Sequence, residues 1–132
     1  MNNLEVSKNK AIDLIKNYGA CLQSGNIDEI LNLYSANAEI IPEAKPSLSS
    51  KMNIEAFYKE TFETITINGD LIIKEINIFD NVALVRCEEP AEVKQLLNGK
   101  IEKAFFRELF VLIRANENQD WKIFKYMFSQ IN

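Results

Sequence analysis

A 132-residue chain without a single histidine must do any chemistry with carboxylates, phenols and arginines. Serine–histidine and cysteine–histidine nucleophile pairs are excluded, and no GxGxxG or GxxxxGK phosphate loop occurs. Zinc and iron sites lack their usual ligands. Cys21 and Cys87 stand far apart with no CxxC spacing, which reads as two buried free thiols in a reducing compartment. No metal and no cofactor is expected. Glu88, Glu89 and Glu92 straddle Pro90 and read as an exposed edge rather than a calcium site. What remains is the pair Arg107–Glu108 at the head of "RELFVLIRANENQDWKIFKYMFSQI", residues 107–131. An arginine beneath a packed layer needs a carboxylate partner or an opening to solvent, because unpaired buried charge is costly. The functional alternative is a fixed cation for an anionic ligand, a carboxylate or an enolate.

The elements that would position these groups follow from periodicity. Residues 4–24 place Leu4, Ile12, Leu14, Ile15, Tyr18, Cys21 and Leu22 at helical spacings, and Gly25 ends the helix. A short second helix starts at Asn26 with Asp28 and Glu29 in its first turn and Ile27, Ile30, Leu31 and Tyr34 as its stripe. Residues 38–41 make a short strand stopped by Pro42, and residues 42–50 form a loop. A third helix covers residues 51–65. Strands then run over 71–79, 82–87, 100–115 and 121–131, with turns at Asp80-Asn81, Asn98-Gly99 and residues 116–120. Pro90 predicts a bulge or an edge position. Three helices followed by four antiparallel strands give an α+β fold, its helices gathered on one face of a curved sheet.

That sheet is apolar on both sides. Along residues 105–113 one face carries Phe105, Arg107, Leu109, Val111 and Ile113, and the other carries Phe106, Glu108, Phe110 and Leu112. The last strand sets Trp121, Ile123 and Met127 against Phe124, Tyr126 and Phe128. Three helices cover one face only, so the outer face is expected to be buried in a homodimer. Trp121 reads as core.

The totals narrow the partners. A net charge of −4 and lysines scattered among acids argue against nucleic acid. No apolar stretch approaches a membrane span and the first residues lack a signal-like core, so no membrane partner and a cytoplasmic location are expected. The length fits a single domain, residues 1–132.

The order helix–helix–short strand–helix–meander, the segment "SGNIDEILNLYSANAEI" (residues 24–40) and the terminal pair "RELFVL" and "WKIFKYMF" resemble the cone-shaped nuclear transport factor 2-like (NTF2-like) superfamily. Within it the chain is most similar to the SnoaL-like and ketosteroid-isomerase-like branch. The resemblance implies a mostly apolar pocket for a small organic ligand and leaves the activity open. It implies that Tyr18 stands at the oxyanion-donor position of the isomerases and that Tyr58, in "NIEAFY", supports it. It turns Tyr126 inward with Phe124 and Phe128. It also implies that Pro42, in "AEIIPE", replaces the catalytic base and that Leu109 replaces the acid donor, so Arg107 would share the pocket face. On that alignment steroid-isomerase chemistry fails, because a phenol with a pKa near ~10 donates a hydrogen bond at neutral pH but scarcely accepts a proton. Glu39 and Glu43 flank Pro42, and Glu39 should point away if Ile40 points in. The expected ligand contacts are Tyr18, Tyr58, Arg107 and Tyr126, with no catalytic residue assigned. The alternatives are a non-catalytic dimeric interaction module, or a cyclase or isomerase using Tyr18 and Arg107 as electrophilic donors.

Overall fold

The computed structural model describes residues 2–131 and opens on a long helix, α1, Asn3–Ser24. The Asn2 side chain caps it by accepting the Glu5 N–H, and Gly25 closes it at φ 70°, a left-handed conformation that glycine adopts at no steric cost. Its buried stripe is Ala11, Leu14, Ile15, Tyr18, Cys21 and Leu22. Helix α2, Ile27–Leu33, is capped by Asn26, and α3, Lys51–Thr64, by the Ser50 hydroxyl. From α3 Ile54 and Tyr58 are fully buried, and Phe57 and Phe62 pack partly buried against the same core.

Seven strands form one sheet: β1 Tyr34–Ile41, β2 Leu48–Ser49, β3 Ile65–Gly69, β4 Ile72–Phe79, β5 Val82–Gln95, β6 Ile101–Ile113 and β7 Lys122–Ile131. The order is β2-β1-β7-β6-β5-β3, with β4 also paired to β5. The three helices lie against one face of this curved sheet, as the pattern predicts. The sheet is mixed rather than wholly antiparallel, because β1 runs parallel to β7. Two strands escaped the pattern. β2 is only two residues long, and β3 leaves α3 with no glycine or proline to mark the change. Tyr34, expected on the stripe of α2, instead begins β1, and its ring remains buried.

Pro90 neither bulges nor ends its strand. β5 pairs with β6 in unbroken register from Val82 to Lys94, and Pro90 faces Phe105. On its other side β5 exchanges partners there: β4 reaches Glu88 and β3 begins at Ala91. The proline sits in that gap, where no neighbour needs its missing N–H. Gly69 ends β3 at the same junction, and a Cβ on it would lie 2.7 Å from the Ala91 Cβ and 2.8 Å from the Pro90 carbonyl oxygen.

The phase of β6 reverses the expected one. Phe110 and Leu112 are fully buried and Glu108 is 3% exposed, all facing the helices, whereas Arg107 is exposed and Leu109 lies on the outer face. A one-residue slip exchanges the faces of a strand, and apolar residues on both faces of β6 could not choose between the two phases. In β7 a bulge decides the outcome. The pairing passes from Leu112–Ile123 to Val111–Lys125, so Trp121 and Ile123 share the inner face with Tyr126 and Phe128. Phe124 falls at the bulge beneath the Lys125 ammonium, 4.6 Å from its ring centre.

Trp121 is core, as expected, and its indole N–H donates to the Ser7 carbonyl. Arg114 lies 4.2 Å over the Trp121 ring and donates to the Ser7 hydroxyl and the Asp80 carbonyl, tying α1 to the β4–β5 turn. The outer sheet face mixes Leu84, Leu109, Val111 and Met127 with the ion pairs Arg86–Glu88 and Lys125–Glu39. Among the described residues no helix is long and apolar enough to cross a membrane.

Candidate functional site

Between the helices and the inner sheet face lies a cavity of about 220 Å³. Helix α1 contributes Tyr18, α3 contributes Phe57 and Tyr58, and β7 contributes Tyr126 and Phe128. Two carboxyls also line it, Glu89 from β5 and Glu108 from β6. Pro42 is buried in the wall, and the exposed Glu43, Lys45 and Gln130 mark the mouth.

The phenols form a relay. The Tyr58 hydroxyl lies 2.6 Å from that of Tyr18 and 2.6 Å from that of Tyr34. Run from Tyr34 through Tyr58 to Tyr18, these bonds leave the Tyr18 O–H free to donate into the cavity, each bond polarising the next. Burial pushes all three phenols well above their ordinary range, so at neutral pH they are donors. The Tyr18 ring stands edge-on to Phe110 and Tyr126, which stack on each other with centres 4.5 Å apart. The aromatic wall therefore leaves Tyr18 little freedom.

Glu108 is the polar end of that wall. Its Oε1 accepts a hydrogen bond from the Tyr126 hydroxyl, and its Oε2 is buried without a hydrogen-bond partner. Arg86 does not neutralise it: the guanidinium donates to the main-chain carbonyls of Cys87 and Glu108 and pairs with Glu88 on the outer face. Burial, with the nearby Glu89 charge adding to it, raises the Glu108 carboxyl to about 8 against the opposing bond from Tyr126. Burial and then Asp70 raise Glu89 to about 7. Burial thus favours the protonated form of Glu108, and the unpartnered Oε2 is the oxygen left to carry a proton while Oε1 accepts from Tyr126.

Of the four residues expected to contact a ligand, Tyr18, Tyr58 and Tyr126 come together here. Arg107 does not. Its side chain is exposed on the opposite face, and its one hydrogen bond among the described residues goes to the Ser129 hydroxyl at 3.5 Å. Its expected place rested on Leu109 facing inward, and the reversed phase of β6 removes that premise. The same reversal supplies an acid where Leu109 was thought to stand: Glu108, one residue earlier. Glu39 points away into its 2.9 Å ion pair with Lys125, consistent with the fully buried Ile40.

Three residues of the site escaped the sequence reading. Glu108 was assigned to the outer face, Tyr34 to a helix stripe, and Glu89 to an exposed edge although it is 3% exposed. A signal for Glu89 existed in the alternation Ala83, Val85, Cys87, Glu89, Ala91, all buried. The proline at position 90 masked it. No group of three or more His, Cys, Asp or Glu residues that could hold a metal occurs among the described residues.

No family model matches the sequence, and no curated protein matches it. Solved structures do match. A ketosteroid isomerase-like protein from Erwinia carotovora atroseptica superposes with a TM-score of 0.86 at 22% identity, over 99% of this chain and 98% of that one. An NTF2-like protein with a cystatin-like fold from Novosphingobium aromaticivorans gives 0.76 at 13% identity, over 98% and 84%. A type 2 hexachlorocyclohexane dehydrochlorinase gives 0.83 at 9% identity, over 98% and 88%. Identities this low speak for the backbone and not for the chemistry. The element order, the branched mixed sheet and these superpositions together show that the chain has the nuclear transport factor 2-like fold.

Proposed function

We propose that residues 1–132 form one domain whose cavity binds a small, single-ring organic molecule through an acceptor oxygen, a carbonyl or a phenolic oxygen. Tyr18 and Glu108 donate to that oxygen, while Tyr58 and Tyr126 hold the two donors in place. The observation that carries this reading is the buried Glu108 Oε2, which has no protein partner and belongs to a carboxyl that keeps its proton at neutral pH. A buried donor left unmatched costs about 1–3 kcal/mol, and an incoming acceptor oxygen recovers part of that. Volume sets the ligand class. An apolar cavity of about 150 Å³ holds benzene, so about 220 Å³ holds a substituted ring and is overfilled by the four fused rings of a steroid.

This reading restores one requirement of isomerase-type chemistry, the acid donor, that the sequence had denied. The first-described neighbour is ketosteroid isomerase-like and another is a dehydrochlorinase. Both descriptions are compatible with a site that stabilises developing negative charge, and size rather than a missing donor argues against a steroid.

Phenol is the test ligand. It should raise the melting temperature of the parent, as any ligand of the native state must. Tyr18→Phe should weaken phenol binding by roughly 5- to 150-fold, the equivalent of one unmatched donor, and Arg107→Ala should leave it unchanged. Absence of stabilisation, or dependence on Arg107 and not on Tyr18, overturns the proposal.

A second copy on the outer sheet face is the partner we propose. It is favoured by the apolar side chains Leu109, Val111 and Met127 there, Met127 being 46% exposed.

A further inference from the structure

We propose that the ligand of this cavity carries a protonated amine, whose ammonium group is held by the Glu89 carboxylate and lies against the Phe106 ring. The proposal rests on the reading above, in which an oxygen of the same molecule lies against Tyr18 and Glu108.

Glu89 lies on the inner face of β5, 3% exposed and lining the cavity. Its side chain makes no hydrogen bond or ion pair with the described residues. A carboxyl under a packed layer without a partner has lost its hydration and received no cation in exchange. An ammonium group arriving there therefore supplies an interaction that the fold itself withholds. Phe106 is the direct cross-strand partner of Glu89 and lines the same cavity, which brings their Cβ atoms to about 4.5–5.5 Å. Phe57 and Phe128 extend this aromatic wall together with Tyr18 and Tyr126. Aromatic faces carry partial negative charge and attract cations, ammonium groups among them. A carboxylate beside a ring thus offers a buried ammonium group both an ion pair and a π face.

Charge selects against other occupants. Among the described residues that line the cavity Lys45 is the sole cation, and it is exposed at the mouth. An anionic group would enter against Glu89 and Glu108, and a neutral one would leave the Glu89 charge uncompensated. Glu39 is held in its outward ion pair, and Glu43, exposed at the mouth, accepts from the Gln130 N–H, so neither competes for the ammonium group. Span agrees with a single ring. Glu108 pairs with Cys87 and Glu89 with Phe106, so the two carboxyls are diagonal neighbours on one face. Such neighbours stand about 7–8 Å apart, which leaves room for a ring bearing the amine at one side and the oxygen at the other.

Protonation fits the same division of labour. Burial and then Asp70 bring Glu89 to about 7, and Glu108 stands at about 8, so at pH 7.5 the first is mostly ionised and the second mostly protonated. The other titratable groups facing this space are the phenols of Tyr18, Tyr58 and Tyr126, all raised by burial, and the buried Cys87 thiol, pushed up to about 12. Asp70 stands beyond β3, and Glu43 and Lys45 stand at the mouth. An ammonium group beside Glu89 favours its carboxylate, so amine binding below pH 7 must expel part of a proton.

The probes are 3-hydroxybenzylamine and its neutral counterpart 3-hydroxybenzyl alcohol, compared by calorimetry at pH 7.5. The parent should bind the amine roughly 10- to 150-fold more tightly, the equivalent of one charge-assisted hydrogen bond. Glu89→Gln should erase that preference while phenol still raises its melting temperature, and Glu89→Asp should retain part of it. Phe106→Leu should weaken the amine more than the alcohol. At pH 6, titrations in buffers of different ionisation enthalpy should show proton release with the amine and none with the alcohol. A parent that binds phenol but takes the two probes equally overturns the proposal, and so does a Glu89→Gln variant that keeps the preference or an amine that binds at pH 6 without releasing protons. A parent that binds neither phenol nor the amine refutes the pocket reading, and this proposal with it.

Discussion

The stability of the folded chain should fall as pH rises from 5 to 8, and Glu108 should cause most of the fall. A carboxyl with an ordinary value of 4.5 that is raised to about 8 in the folded state disfavours folding by roughly 5 kcal/mol once both forms are ionised. The sign follows from the proton count. Below pH 4.5 Glu108 is protonated in both states and contributes no difference. Between 4.5 and about 8 the unfolded chain releases the proton while the native one retains it, so the unfolded state gains. Above about 8 the penalty is complete and constant. Glu89, raised to about 7, adds roughly 3 kcal/mol on the same reasoning, but the two do not sum, because part of the rise at Glu108 is the charge on Glu89. Gln replaces Glu108 without loss of shape: its amide oxygen still accepts from Tyr126, and it never ionises. Unfolding free energies from urea titrations at pH 5, 6, 7 and 8 should decline for the parent and decline by several kcal/mol less for Glu108→Gln. A parent that is flat or more stable at pH 8 refutes the burial of an unneutralised carboxyl, and so does a Glu108→Gln curve parallel to the parent's.

Tyr58→Phe removes the middle hydroxyl of the relay and strands those of Tyr18 and Tyr34, both buried; calorimetry should register a loss of about 2–4 kcal/mol, and a loss below that of Tyr34→Phe would mean the relay is not continuous. Sedimentation at low concentration should give a dimer for the parent and a monomer for Met127→Lys, which sets a charge amid the apolar part of the outer face. A monomeric parent, or a variant that stays dimeric, removes the outer face from consideration.

Local chemistry was readable wherever one residue sets one conformation. Gly25 closes α1 at φ 70°, and the Asn98-Gly99 hairpin brings Gly99 to φ 73°. Asn26 caps the helix that follows it. Tyr18 and Tyr58 were found through the resemblance, and their hydroxyls meet at 2.6 Å. What was hidden depends on contacts between distant segments. The phase of β6 is set by which face the helices cover, and with Phe, Leu and Ile on both faces composition is silent. Arg107 and Glu108 exchanged roles for that reason alone. The β7 bulge, invisible in a run that is apolar throughout, carries Tyr126 onto the face of Ile123. Glu89 was lost because the acids around Pro90 read as an exposed edge, whereas the proline is unpaired on one side only, in the gap between two partner strands, and Glu89 beside it is buried. Arg107, Glu108 and Glu89 were thus misplaced by one position or one neighbour, whereas Tyr126 lies on the inner face where the resemblance put it.

On the proposed reading Glu108 presents a proton to the cavity, and a ligand oxygen takes it as a hydrogen bond. Phenol affinity measured by calorimetry from pH 6 to 9 tests it directly, since a free phenol stays neutral until near pH ~10. The affinity should be level up to about pH 7.5 and fall through about 8 as Glu108 loses its proton, with a flat profile for Glu108→Gln. A parent whose affinity is level across the whole range, or a Glu108→Gln variant that retains the fall, would contradict it.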